Sequence, residues 1–130
     1  MEVRLLDLNN SKESLQALLK AKLSGKTSLG IATFIEEVNP KLTALETTRV
    51  ELIKKYGKAD EQGNIDLAND PEAYKSFMHE YLPLLENTFT ATDFHIPAAE
   101  VSEIPADVVE AQHIVNCKWI IKESLIVNGL

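Results

Sequence analysis

Between Thr27 and Tyr56, apolar side chains return at Ile31, Ile35, Val38, Leu42, Leu45, Leu52 and Tyr56, and Arg49 takes the one place where an apolar member is missing. Alternating steps of four and three residues keep them all on one face of an α-helix, so the stretch reads as a seam packed against other helices. At the usual rise the helix would be roughly 45 Å long. A chain of 130 residues has material for one modest core, here read as a single domain over residues 1–130. Such a core seldom covers a rod of that length. The seam therefore predicts a mate, either a second copy of the chain, with a dimer favoured, or another protein. Its eight positions, Arg49 included, are the candidate partner-binding residues.

Composition narrows the classes further. At 45% hydrophobic and 25% charged, with few Gly and Pro, the chain has the balance of a folded protein and not of a disordered one. Thirteen basic against 20 acidic residues give a net charge of −7, which repels a phosphate backbone, so no nucleic-acid partner is expected. No apolar run nears the roughly 20 residues of a membrane span. The start, Met1-Glu-Val-Arg-Leu-Leu-Asp, lacks the pattern of a secretory leader. A lone cysteine, Cys117, agrees with a reducing compartment. The expected location is cytoplasmic, away from membranes.

Taken in order, Glu2 to Leu8 alternate in part and predict a short strand. Ser11, with Ser14 three positions on, reads as the cap of a helix that buries Leu15, Leu18, Leu19 and Leu23, and Gly25 reads as its stop. Thr27 or Ser28 would cap the long helix. Pro40 sits within it, and since the seam keeps its phase from Val38 to Leu42, one kinked helix is preferred to a second helix capped by Asn39. Lys54 and Lys55 complement the helix dipole before Gly57 ends the segment. Asp60-Glu-Gln-Gly-Asn64 predicts a hairpin turn. Asn69-Asp-Pro-Glu72 opens a third helix with a buried stripe of Tyr74, Phe77, Met78, Tyr81, Leu82 and Leu85. The β-branched and aromatic run Thr88 to Ile96 predicts a strand that pairs with the first. Ala98 to Ile104 reads as a connection, Pro105 to about Lys122 as a last helix with a break near His113 to Asn116, and Leu125 to Val127 as a third strand or a docked tail. The fold class is α+β, mainly helical, with the long helix in a helical hairpin beside a small antiparallel sheet.

No motif carries specific chemistry. Counted as a calcium loop from Asp60, the third place is Gln62, the twelfth is Pro71, and Gly63 comes two places early, so a solvated turn is the better reading. His113 and Cys117 are one helical turn apart, yet two ligands do not hold a structural zinc and no CxxC or HExxH joins them. Asp93 and His95 share a strand face without a glycine-rich turn or an oxyanion-type loop. No catalytic residue, metal ligand or cofactor is assigned. Arg49 is the most informative polar residue, because a guanidinium on an apolar seam needs a carboxylate, best supplied by Glu46 three positions back.

The long helix ending in Lys54-Lys55-Tyr56-Gly57, followed by Asp60-Glu61-Gln62-Gly63-Asn64, resembles a group of small bacteriophage and prophage proteins of unknown function. In that group a long helix ends in a similar Lys-Tyr-Gly, an acidic turn follows, and another helix comes next. The likeness is strongest over residues 13 to 86. It implies a phage origin and an accessory role, and brings no catalytic residues with it. The functional expectation is a non-enzymatic accessory protein, in a bacterial host's cytoplasm, that occupies a surface on a host or phage protein, inhibition of a host defence component being one form of this. The alternative is a virion or assembly component acting as a subunit of a phage structure.

Overall fold

The computed structural model describes residues 1–123, and the predicted Leu125 to Val127 strand lies outside them. The chain opens with β1 (Glu2–Arg4) and passes directly into α1 (Leu5–Leu19). The strand is shorter than the sequence predicts, because Leu8, Ser11, Leu15 and Leu18 form one buried helical face that recruits the preceding residues. Ser11 is therefore inside α1 and does not cap it; its hydroxyl donates back to the Asp7 carbonyl at 2.7 Å, which lets a serine be buried in a helix.

The long helix α2 (Gly25–Tyr56) is continuous through Pro40. Its cap is Ser24, whose Oγ accepts from the Thr27 amide at 3.2 Å, so Gly25 starts this helix where the sequence placed the end of the previous one. Gly57 ends it in extended backbone, at φ −85°. The glycine serves there by being small: a Cβ would stand 2.1 Å from Ile65 Cγ2 and 2.8 Å from the Ile53 carbonyl. The predicted turn follows, with Gly63 at φ +81° and the Asp60 carboxylate accepting from the Gln62 and Asn64 amides at 2.8 and 2.9 Å. Only an Ala59–Ile65 bridge pairs its flanks.

Asp70 caps α3 (Pro71–Leu85), accepting from the Ala73 amide at 3.1 Å. Of the predicted stripe only Phe77 and Leu85 are buried, while Tyr74 and Leu82 are exposed. After α3 the chain forms β2 (Thr88–Thr90), antiparallel to β1 with Val3 opposite Phe89. Phe94 lies beyond that strand. The last third departs furthest from expectation: β3 (Ile96–Pro97) leads into α4 (Ala98–Ser102), residues 103–110 are turns, α5 (Ala111–Asn116) is short, and β4 (Ile121–Lys122) pairs parallel with β3. Val109 is buried and Val108 exposed, so neighbouring β-branched residues divide between core and surface, and no helical face holds them together.

The fold is α+β and mainly helical. Its core joins Leu8, Leu15 and Leu18 of α1, Ile31, Phe34 and Val38 of α2, and Ile96, Cys117 and Ile120 from the C-terminal part. Two serines from α1 meet α5 and its sequel: Ser14 Oγ lies 2.9 Å from His113 Nδ1 and accepts from Asn116 Nδ2 at 3.2 Å, and Trp119 Nε1 donates to Ser11 Oγ at 3.3 Å.

Candidate functional site

The seam finds most of its cover inside the molecule. Ile31, Val38 and Leu45 are buried, while Ile35 and Leu42 are half-buried at the margin of the core. α1 and α3 both pack against α2, α3 reaching its end at Lys55 and Tyr56, so two shorter helices supply cover that a single small core was not expected to provide. Arg49, Leu52 and Tyr56 are half-buried at the α3 end. Arg49 forks onto Glu46, its Nη2 and Nε donating at 2.7 and 2.9 Å, the pairing that the sequence predicts. Tyr56 donates to Glu80 at 2.6 Å, and Lys55 donates to the same carboxylate at 3.1 Å. The seam positions that keep some exposed surface are thus Ile35, Leu42, Arg49, Leu52 and Tyr56.

Open grooves flank the buried stripe. One, of about 520 Å³, runs between α1 and α2 and has Ile35 and Leu42 in its wall with Lys12 and Glu46 at its edge. The other, of about 800 Å³, lies between the first half of α2 and the segment 92–100. Phe94 forms its far side, stacked on Phe34 with ring centroids 5.4 Å apart, and Phe34 leans in turn on Trp119 at 6.2 Å. Gly30 admits the Phe94 ring: a Cβ there would be 2.6 Å from Phe94 Cε1. Leu29 stands at the mouth, 69% exposed.

Two carboxylates fasten the groove's walls together. Glu37, on α2, accepts from the Thr92 hydroxyl at 2.6 Å and the Thr92 amide at 3.0 Å. Glu100, on α4, accepts from the Thr27 hydroxyl and from the Ser24 amide at 2.8 Å, across the start of α2. The Thr92 hydroxyl and then its amide hold Glu37 below the usual carboxylate range, and the Thr27 hydroxyl and then the Ser24 amide do the same for Glu100. Both are charged at neutral pH.

The sequence missed this groove because its residues fall off the seam. One signal was present in Gly30, a glycine inside a strongly periodic helix, which marks a close approach by another group. The residues weighed for chemistry are placed otherwise. Cys117 is fully buried, and burial pushes its thiol up to about 12. His113 turns its Nδ1 to Ser14, and Asp93 pairs with the Met1 ammonium at 2.9 Å. Among the described residues no three His, Cys, Asp or Glu side chains gather in metal-binding reach, and no helix is long and apolar enough to cross a membrane. Comparison with protein-family models, with curated proteins and with solved structures gives no match to this chain.

Proposed function

We propose that this is a non-enzymatic accessory protein of phage origin that works in the host cytoplasm by seating part of another protein, from host or phage, against α2. The observation that carries the reading is Leu29, a large apolar side chain left 69% exposed at the mouth of a groove whose wall is a packed pair of aromatic rings. An apolar residue so placed gains free energy when a partner covers it. Blocking a host defence component is one use of such a surface, and the phage origin rests on the sequence resemblance. Assembly into a phage structure is the second reading. It draws on Tyr74 and Leu82, which leave another apolar face on α3 at 48% and 49% exposure, since a subunit held among neighbours needs more than one contact face.

Pull-down from host lysate tests the first reading when run with the unaltered protein, Leu29→Glu, and Cys117→Ala/His113→Ala. A specific protein retained by the unaltered chain and by the double variant, and lost with Leu29→Glu, is the expected result. Loss with the double variant alone, its helical signal intact, would move the function to the other side of the molecule. Sedimentation of the purified chain separates a monomer or dimer from the larger assemblies that the second reading requires.

A further inference from the structure

The groove beside α2 joins an apolar floor to two carboxylates, Glu37 and Glu100, that no ion pair neutralises among the described residues. Each is bound by a hydroxyl and an amide, which are neutral donors. Among the described residues Lys26 is the one lysine in the lining. Thr27, which Glu100 grips, and Glu37 are about 15 Å apart along the axis of α2 at the usual helical rise. Between them lie the exposed Leu29 and the Phe94 ring.

We propose that this groove receives an amphipathic helix whose apolar stripe covers Leu29 and Phe94 and whose Lys or Arg residues, about three turns apart, reach Glu37 and Glu100. Charge complementarity selects this occupant. An acidic or neutral apolar segment would bury the same surface but would leave two carboxylates facing like charge or losing water without compensation. A second copy of this chain, itself at −7, brings net repulsion to the same place. The inference rests on the partner-binding reading above and adds the chemistry of the partner.

The probe is a displayed library of random peptides about four helical turns long, selected on the purified full chain. Affinities of the enriched peptides are then measured at low and high salt. The expected peptides carry an apolar stripe flanked by Lys or Arg, bind the unaltered chain and lose binding to Leu29→Glu. With Glu37→Gln/Glu100→Gln their affinity falls by about fivefold at low salt and its salt dependence flattens. At position 37 the single glutamine oxygen can still accept from both Thr92 donors, and at position 100 it can still accept from the Ser24 amide while its NH2 faces the Thr27 hydroxyl, which can turn to accept. Urea unfolding of the variant checks that the walls stay joined.

Enriched peptides that are neutral or acidic, or that bind the double variant equally well, overturn the charge inference and leave the partner-binding reading standing. Failure to enrich any peptide sensitive to Leu29→Glu sinks both. A dimer of the free chain that Leu29→Glu dissociates, or a truncation after Glu123 that alone opens the groove to peptides, assigns the groove to the protein itself and overturns the proposal.

Discussion

Ser14 and His113, 99 positions apart in the chain, meet with Ser14 Oγ 2.9 Å from His113 Nδ1, and this contact helps tie the first helix to the last. Ser14 is buried and also accepts from Asn116, so one hydroxyl serves two side chains of α5. Ser14→Ala should lower stability by about 1–2 kcal/mol, since two half-buried polar groups lose their partner while alanine's better helix propensity returns only a few tenths. Urea unfolding measures the difference. An unchanged midpoint would show that the contact does not fasten α5.

Cys117 should behave as a packing residue. Its thiol is fully buried and pushed up to about 12, so it stays protonated at neutral pH and a labelling reagent cannot reach it. A maleimide or aromatic disulfide reagent should modify the native protein only as fast as it unfolds, with the rate rising steeply in denaturant. Prompt labelling in buffer would contradict that placement.

Pro40 was readable as a guest in the helix, because the apolar period ran through it unbroken. The structure bears this out with one element from Gly25 to Tyr56. Proline still lacks an amide for the helix and crowds the preceding turn. Pro40→Ala should therefore raise stability, by up to about 3 kcal/mol, as read by thermal unfolding. A loss would mean that the helix path set by Pro40 is needed for packing on α1 or α3.

Strong periodicity made α2 and α3 legible, and local turn chemistry did the same for Asp60 and Asp70. The start of α1 was misjudged because Ser11 looked like a cap, whereas its hydroxyl bonds within the helix. The last third was misjudged because its residues are held by distant partners, Ile96 by Ile121 and His113 by Ser14, and no short window of sequence contains those pairs. The groove was illegible for the same reason. Glu37 and Thr92, or Gly30 and Phe94, become neighbours only when the chain returns along α2.

Acid should weaken the protein through the carboxylates that hold segments together. Hydrogen bonds from Thr92 and from Thr27 and Ser24 lower Glu37 and Glu100 from their ordinary value of 4.5. A group lowered by folding contributes stability that is complete above its unfolded value and is lost as pH falls through its folded value. The urea midpoint should stay level from neutral pH to about 5 and fall below about 4.5. Glu37→Gln and Glu100→Gln should each make that fall shallower, because glutamine does not titrate and its one oxygen still accepts from the Thr92 donors at 37 and from the Ser24 amide at 100. An acid slope unchanged in the double variant would remove these two groups from the account.

Two glycines at opposite ends of α2 should respond to alanine with opposite signs. Gly25 is the first helical residue, and nothing stands within 4 Å of a Cβ built there. Gly25→Ala therefore only restricts the unfolded chain and should stabilise by about 0.4–1 kcal/mol. Gly57 has a backbone that any residue adopts, at φ −85°, yet its Cβ would fall 2.1 Å from Ile65 Cγ2 and 2.8 Å from the Ile53 carbonyl. The carbonyl belongs to the helix and cannot yield easily, so Gly57→Ala should cost about 1–3 kcal/mol by overpacking. Thermal or urea unfolding of the two variants side by side gives the comparison. Equal effects would mean that Ile65 swings aside without loss, and that the chain after α2 is less tightly seated than the approach to Gly57 implies.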